Sequence, residues 1–279
     1  MSNGRPAALV KVLSTALDVA HYRIHLAIKE ASDEINAETE ILFTTTADGV
    51  KEVTLDFASL SVDQVTENGR TASIKHTDGR LNIALHDNYR RGERFSLAIK
   101  YHGRPTDGLF IKKNKFGDLA VFADNWPNRA HYWFPAIDHP YDKATVEFFV
   151  TAPARLDVIA NGALMETRSN QNGTKLTHWS ESVPIATYCM VGGAAEFSII
   201  NTGSWGGISL YYYLYPQDRE NGIKDYGRAL QMVEFYANLI GPYPYEKLAL
   251  VQSSTRFGGM ENSSSIFFQY FGHFLSEME

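Results

Sequence analysis

The stretch Ala20-His21-Tyr22-Arg23-Ile24-His25-Leu26-Ala27-Ile28 places an apolar side chain at every second position. A period of two is that of a β-strand with one buried face. The same alternation recurs in the ranges 53–57, 81–85, 95–101 and 146–150. Asp78-Gly79 predicts a tight hairpin turn, and further glycine-containing breaks separate the other strands. Short, regularly interrupted strands predict a mainly β protein that begins with an antiparallel sandwich or saddle.

The pattern changes near residue 203. The β-branched and aromatic range 208–215 predicts another strand, and the range 247–253 a further one. Between them, apolar residues from Ile223 to Ile240 at alternating steps of three and four predict one face of a helix about six turns long, with Asp218 and Glu220 in its first turns. Gly241-Pro242 is expected to end that helix. We therefore predict an N-terminal β-sandwich domain over residues 1–202 and the incomplete beginning of an α/β domain over residues 203–279.

Composition limits the possible functions. The chain has 279 residues, is 44% apolar, and can bury one large core or two moderate ones. Its net charge of −6 leaves no basic surface for nucleic acid, so we expect no nucleic-acid partner. The single cysteine, Cys189, excludes an internal disulfide and a cysteine-based zinc site.

The N-terminal region does not settle the compartment. No apolar run reaches the roughly 18 residues of a membrane-spanning helix, so no membrane span is predicted. Residues 1–20 also lack the continuous apolar block and cleavage site of a signal peptide. A cytoplasmic protein and an exported protein whose signal was removed both fit the sequence.

Near its C-terminus the chain carries Gly258-Gly259-Met260-Glu261-Asn262. This motif places one carboxylate on backbone that two glycines leave bare, so that another chain can approach closely. Such an arrangement suits an enzyme that holds the free amino end of a peptide. Taken alone, however, a glutamate in a glycine turn is more often a solvated loop residue.

A second motif supports the functional interpretation. The run Trp133-Phe134-Pro135-Ala136-Ile137-Asp138-His139-Pro140, followed by Lys143-Ala144, resembles the W-F-P-C-x-D-x-P-x-x-K-A stretch of the zinc aminopeptidase family typified by aminopeptidase N and the leukotriene-hydrolase relatives. The glycine motif is similar to that family's exopeptidase signature, G-[AG]-M-E-N. Both motifs stand in the family's order, and the resemblance covers essentially the whole chain.

The resemblance implies a set of roles. Glu261 would bind the α-ammonium group of a peptide substrate, Gly258 and Gly259 would contact its backbone, and Met260 would help to wall the pocket, with Asn262 completing the substrate-binding motif. The family activates water on zinc held by HExxH and a downstream glutamate. No HExxH occurs in residues 1–279. We therefore expect no catalytic residue, no metal ligand and no bound zinc in this chain, which alone should be inactive.

Several other residues need an interpretation. Asp124 or Asn125 is a candidate for a second amine ligand that the family takes from its sandwich domain. The spacing of His131, Asp138 and His139 fits no compact metal site, so we interpret them as satisfied polar groups. Trp126, Trp133, Phe134 and Pro135 are expected to pack in the core or at a domain interface, and His273 and Glu277 to lie on the surface.

The aromatic segment 266–274 is expected to pack against the remainder of a thermolysin-like catalytic domain. The alternative is a non-catalytic binding or scaffolding module that keeps the family sandwich without a zinc centre. An HExxH followed by a glutamate beyond residue 279 would distinguish the two. The residues leave open the preferred substrate side chain, the oligomeric state and any epoxide hydrolase activity.

Overall fold

The computed structural model describes residues 16–255 and 258–269. The chain first forms fifteen strands, which are β1 (Leu17–Ala27), β2 (Ile35–Thr45), β3 (Val50–Asp56), β4 (Ser61–Glu67), β5 (Arg70–Thr71), β6 (Ser73–Thr77), β7 (Arg80–Tyr89), β8 (Arg94–Gly103), β9 (Leu109–Lys113), β10 (Leu119–Ala123), β11 (Lys143–Pro153), β12 (Asp157–Ala160), β13 (Ala163–Ser169), β14 (Thr174–Ala186) and β15 (Gly192–Ala195). Single 3-10 turns lie at Ala130–Tyr132 and Thr187–Cys189.

The rest of the chain mixes strands and helices. These elements are β16 (Ser198–Trp205), β17 (Ile208–Leu214), a 3-10 turn at Pro216–Asp218, α1 (Arg219–Tyr226), α2 (Ala229–Ile240), β18 (Lys247–Ser253), β19 (Gly259–Met260) and β20 (Ser265–Gln269). The predicted mainly β fold with a later α/β portion is confirmed. No helix in the described residues is long and apolar enough to cross a membrane.

Three sheets make up the N-terminal region. The largest has the order β13-β14-β11-β1-β2-β8-β4-β5, and β3-β7-β6 and β12-β15-β10-β9 form two smaller ones. All pairs are antiparallel except β1 with β11, which run parallel. The predicted Asp78-Gly79 hairpin joins β6 to β7, and both turn residues have positive φ, 53° and 71°. Glycine reaches such angles at no steric cost, which explains its place in this turn.

The Trp-Phe-Pro motif lies inside the sandwich core. Trp133 is 1% exposed, and Phe134 and Ala136 are fully buried. Ala136 exchanges two backbone hydrogen bonds with Asp56, at 2.8 and 3.1 Å, which fastens the motif to the end of β3. Packing is therefore the confirmed role of Trp133 and Phe134. Trp126 differs from the expectation, because it is 49% exposed, and its carbonyl accepts a hydrogen bond from Arg129.

The fourth sheet has the order β16-β17-β18-β20-β19 and holds the end of the described chain. β17, β18 and β20 run parallel to one another, and the two edge strands are antiparallel to their neighbours. β16 crosses residue 203 and pairs only with β17 in this sheet, so the sheets themselves divide nearer residue 197. The division into two domains remains our proposal.

The single long helix predicted over residues 223–240 is wrong. The chain forms α1 and α2 instead, separated at Gly227-Arg228, where the Gly227 N–H donates to the Lys224 carbonyl. Glycine is a poor helix former, and the apolar period continues across the break, so the sequence pattern did not reveal it. In α1, Gly222 lies so close to β17 that a Cβ there would meet Leu214 at 2.5 Å. The predicted stop is confirmed, because α2 ends at Ile240 and Gly241 has φ +111°.

The fourth sheet packs one face on the sandwich and the other on the helices. Tyr213, Ala249, Val251 and Phe267 belong to the main core together with sandwich residues. Leu210, Tyr212, Leu214, Leu248 and Leu250 form a smaller core with Tyr226, against which Ile266 and Phe268 pack. Because side chains alternate along a strand, successive residues of β20 serve the two cores in turn.

Candidate substrate-binding site

The glycine motif forms the outer edge of the fourth sheet. Gly259 and Met260 are β19, which pairs with Phe268 and Phe267 of β20. The Gly258 carbonyl accepts a hydrogen bond from the Gln269 N–H at 3.2 Å. Because paired and outward-facing residues alternate along an antiparallel strand, the backbone groups of Gly259 point away from β20. An edge of this kind is a template on which another extended chain can add itself.

The two glycines have different reasons to lack a side chain. A Cβ on Gly259 would meet Phe268 at 3.0 Å, so a larger residue would push β19 away from β20. Around Gly258 there is open space, with no heavy atom within 4 Å of a built Cβ. Both residues are exposed. Together they leave a stretch of bare backbone immediately before Glu261.

Glu261 is exposed, whereas its two neighbours in the chain are buried. The hydrogen bond to Cys189 and, among smaller effects, the charge of Glu261 raise the pKa of Tyr188. Burial, with a smaller contribution from Glu261, raises the pKa of Cys189. The carboxylate therefore lies close enough to the end of the sandwich strand β14 for these two groups to sense it. It stands at the junction of the sandwich and the fourth sheet.

Met260 and Asn262 are the buried residues of the motif and hold it against the rest of the chain. Met260 is 7% exposed and Asn262 is 2% exposed. The Asn262 side chain donates to the Met260 carbonyl at 3.3 Å, which closes a tight local turn. Its Oδ1 is buried and has no hydrogen-bond partner among the described residues. Burial of the residues on either side leaves Glu261 as the exposed polar group of this turn.

The residues that follow the motif are anchored to the sandwich. Ser263 donates to the Tyr245 hydroxyl at 3.0 Å, and its carbonyl accepts a hydrogen bond from Asn161. Ser264 donates to Glu181 at 3.0 Å and accepts from the Gly162 N–H at 2.7 Å. The bonds to Asn161, Gly162 and Glu181 join residues more than eighty positions apart in sequence. They fix the point at which the chain leaves Glu261.

The side chains of Asp124 and Asn125 are both used in hydrogen bonds to other residues of this chain. Asp124 is 3% exposed and accepts hydrogen bonds from Arg129 at 2.6 Å and Thr255 at 3.1 Å. Asn125 is fully buried, accepts from Trp133 at 2.8 Å and donates to the carbonyls of Thr187 and Met190. Removing either from its partners would leave buried polar groups unsatisfied. The structure thus gives both residues a structural role.

The cluster of His131 and Asp138 is a satisfied polar pair, as the sequence predicted. His131 Nδ1 lies 2.7 Å from Asp138 Oδ2, and Thr187 donates to Asp138 Oδ1 at 2.7 Å. His139 accepts a hydrogen bond from the Tyr141 N–H instead of joining the pair. His273 and Glu277 lie outside the described residues.

The structure describes only residues 266–269 of the aromatic segment 266–274. Phe267 is 1% exposed and fills the main core, where a Cβ on Gly193 would meet its ring at 2.9 Å. Ile266 and Phe268 pack against the small core beside the helices. Phe267 is therefore covered within this chain, whereas Ile266 and Phe268 stay partly exposed on the helical side of the sheet. Residues 270–274 lie outside the described part of the chain.

The described residues contain no cluster of side chains suited to a metal ion. Within residues 16–255 and 258–269, no three His, Cys, Asp or Glu side chains are grouped so that they could hold a metal ion. The described residues therefore do not fit a zinc centre, and none of them is assigned a step that depends on zinc.

Sequence reasoning missed the residues that support the motif. Asn161, Glu181 and Lys247 bond to residues 263–265, the Tyr188 phenol senses the charge of Glu261, and Glu246 lies against Glu181. The sequence did contain one signal for these residues. A lysine begins the apolar run Lys247-Leu248-Ala249-Leu250-Val251, and a lysine is unusual in a buried strand. The partners of that lysine lie on distant strands, so no local pattern indicates them.

Comparison with known sequences gives consistent matches. The sequence profile of the peptidase M1 N-terminal domain matches residues 19–189. Tricorn protease-interacting factor F2 of Thermoplasma acidophilum is 26% identical over 225 residues, covering 78% of this chain and 27% of that protein. Aminopeptidase A of Gloydius brevicauda is 30% identical over 214 residues, covering 71% of this chain and 22% of that protein. This chain thus spans only 22–27% of the length of these two relatives.

Solved structures show the same fold. The M1 zinc metallopeptidase of Deinococcus radiodurans superposes with a TM-score of 0.75 at 22% identity, over 90% of this chain and 59% of that one. A mutant of that protein bound to a Tyr-Ser-Ala substrate superposes with a TM-score of 0.75 at 20% identity, over 90% of this chain and 60% of that one.

Proposed function

Because the chain belongs to the family of the peptidase M1 N-terminal domain, we propose that it is the N-terminal part of a zinc-dependent aminopeptidase. In this proposal the longer protein removes amino-terminal residues from peptides. This chain supplies the group that holds the free amino end, and the zinc centre belongs to the part of the protein beyond residue 279. Zinc would supply an activated water to the longer enzyme.

One observation carries the proposal. Glu261 is an exposed carboxylate that directly follows the edge strand β19. A peptide that adds itself to this edge in an extended conformation would pair with the outward backbone groups of Gly259, with Gly258 leaving room for its approach. Met260, buried beside the edge, would contribute to the wall of the pocket, and Asn262 would hold the turn. The peptide's amino end would then meet the carboxylate of Glu261.

The expected electrostatic attraction between the Glu261 carboxylate and the α-ammonium group of a peptide is large enough for an amine anchor. Two unit charges about 4 Å apart attract by roughly 4 kcal/mol at an effective dielectric constant near 20. Desolvation removes a large share of that attraction, but about 2–3 kcal/mol is enough for a hundredfold preference for a free amine over an amide. This preference would restrict the enzyme to the first residue of a peptide.

The helical side of the fourth sheet supports the proposal that more of the catalytic domain packs on this chain. Met232, Tyr236 and Ile240 of α2 are 55%, 57% and 79% exposed. With Leu250, Ile266 and Phe268 they line an open, mainly apolar groove of about 530 Å³. Monomeric proteins rarely leave large apolar patches uncovered. We propose that the remainder of the longer protein covers this groove.

The amine anchor can be tested on this chain. Backbone amide resonances of residues 258–262 should shift on addition of the tripeptide Tyr-Ser-Ala and should not shift with its N-acetylated form. Glu261→Gln should remove the response, and the matched control Glu166→Gln, an exposed glutamate on β13, should keep it. Equal shifts with the acetylated peptide would contradict the anchor.

The amine anchor can also be tested in the longer enzyme. Glu261→Ala should lower kcat/KM for aminoacyl substrates by about 100-fold, which corresponds to roughly 2.7 kcal/mol of lost transition-state binding. An unchanged rate would refute the anchor.

Metal analysis of the 279-residue chain tests the other part of the proposal, since one tightly bound zinc per chain would place the metal centre here.

A further inference from the structure

Two carboxyl groups meet beneath the segment that carries Glu261. Glu181 of β14 is 1% exposed, and Glu246 precedes β18 and is partly buried. Ser182, the residue next to Glu181, donates its backbone N–H and its hydroxyl to Glu246, which brings the two carboxyl groups close together. One comes from the sandwich and the other from the fourth sheet, so their contact bridges the two regions.

Counting hydrogen bonds shows that this contact needs a proton. One oxygen of Glu181 accepts from the Val183 N–H at 3.2 Å, and the other accepts from Ser264 at 3.0 Å. One oxygen of Glu246 accepts from the backbone and hydroxyl of Ser182. The other oxygen of Glu246 is buried, with no protein donor among the described residues. A proton on Glu181 would supply that donor, because a neutral carboxyl group donates through its O–H.

The electrostatics agree with a shared proton. Two ionised carboxylates in contact repel each other, and burial adds to the cost, so one of them keeps its proton. Burial and the contact with Glu246 raise the pKa of Glu181 to about 7. For Glu246, burial is outweighed by the Ser182 hydrogen bonds and the contact with Glu181, and its pKa is lowered. The opposite directions of the two pKa shifts are those of a pair that shares one proton.

Lys247 completes the cluster. It is 4% exposed, and its ammonium group donates to the Ala160 carbonyl at 2.8 Å, the Ser265 hydroxyl at 3.0 Å and the Ser264 carbonyl at 3.3 Å. The ammonium also lies 4.7 Å from the centre of the Trp179 ring. Burial lowers the pKa of Lys247 to about 7, against the attraction of Glu181 and Glu246.

The other titratable groups around the pair are tyrosines. Tyr243 and Tyr245 come from the segment before β18, and burial first, then Tyr245, raise the pKa of Tyr243. The raised pKa keeps the Tyr243 phenol neutral near pH 7. With one proton on the carboxyl pair, its single negative charge balances the Lys247 ammonium group.

We propose that Glu181 and Glu246 hold one proton between them in mildly acidic to neutral solution, and that this pair, with Lys247, positions the segment carrying Glu261. The inference rests on the proposed function of Glu261. Ser264 is the link, because it bonds to Glu181 and Lys247 and lies three residues after Glu261. Loss of the proton leaves two charges in contact and weakens the attachment of Ser264, so the loop loosens as the pH rises.

Infrared spectroscopy of the 279-residue chain tests the shared proton directly. The C=O band of a protonated carboxyl group should be present at about pH 6.5 and lost by about pH 9. The part of this band that belongs to the pair should be missing in Glu181→Gln and unchanged in the control Glu40→Gln, a half-exposed glutamate that is paired with Arg23. A wild-type spectrum without any such band at about pH 6.5 would overturn the proposal.

Hydrogen exchange tests the positioning role. After correction for the intrinsic pH dependence of exchange, amides of residues 260–265 should lose protection roughly tenfold between about pH 6.5 and pH 9 in the wild type. Glu181→Gln keeps a neutral donor facing Glu246, so its protection should fall less than in the wild type, and the loss that remains should be that caused by Lys247. Equal losses in both proteins, or no loss in the wild type, would overturn the positioning role. Neither result bears on peptide binding by Glu261, which the acetylated-peptide comparison decides separately.

Discussion

The sandwich and the fourth sheet differ in how completely they bury their apolar side chains. In the sandwich, large side chains such as Trp133, Phe43 and Phe95 are at most 2% exposed. On the helical side of the fourth sheet, α2 has no buried residue, and Leu239 and Ile240 are 66% and 79% exposed. Both regions have a clear apolar periodicity in sequence. Periodicity therefore tells which face is apolar, while the neighbouring elements decide whether that face is covered.

The largest expected effect on the free energy of unfolding is that of truncating a buried side chain in the sandwich. Trp133→Ala should destabilise the chain by about 3–5 kcal/mol, because it leaves a cavity and removes the hydrogen bond to Asn125. Trp126→Ala is the matched control, since Trp126 is 49% exposed and should change stability by less than about 1 kcal/mol. Denaturant unfolding measures both. Similar losses for the two tryptophans would contradict the difference in burial.

The next effect compares the two sides of the fourth sheet. Phe267→Ala should cost about 3 kcal/mol, because Phe267 packs between the sheet and the sandwich at 1% exposure. Phe235→Ala on α2 should cost less than about 0.5 kcal/mol, because Phe235 is 62% exposed. If Phe235→Ala were as costly as Phe267→Ala in this chain, the exposed face of α2 would be covered within it, and the comparison would fail.

A smaller effect concerns a buried charge within the sandwich. Asp142 is 4% exposed, and burial raises its pKa from 3.8 to about 6. An acid with a raised pKa binds its proton more tightly in the folded state. The contribution of Asp142 to the free energy of unfolding is therefore greatest below the unfolded pKa. It is lost as the pH rises from about 4 to about 6, by at most about 3 kcal/mol.

Asp142→Asn removes this titration. Denaturant unfolding at about pH 4 and pH 6.5 should show a smaller loss of stability in the variant than in the wild type. The exposed Asp63→Asn is the control and should keep the wild-type dependence. An unchanged pH profile in Asp142→Asn would show that the carboxyl group is not the origin of the loss.

Much of the architecture followed from local pattern. The alternation in residues 20–28, the hairpin at Asp78-Gly79 and the helix stop at Gly241 were all predicted and are present. The break between α1 and α2 was not predicted, because the apolar period continues through Gly227-Arg228. The exposure of Trp126 was also missed, since composition alone does not tell which of two nearby tryptophans enters the core.

For the candidate site, the sequence supplied the motif and the structure supplied its surroundings. The sequence alone determined that Glu261 follows bare glycine backbone and that strands alternate buried and exposed faces, because both properties depend on neighbours a few residues apart. Only the tertiary structure decided that β19 lies at a sheet edge and that Glu181, Glu246 and Lys247 meet beneath Ser264. Such contacts join residues far apart in the chain, so they form only when the sheets pack together.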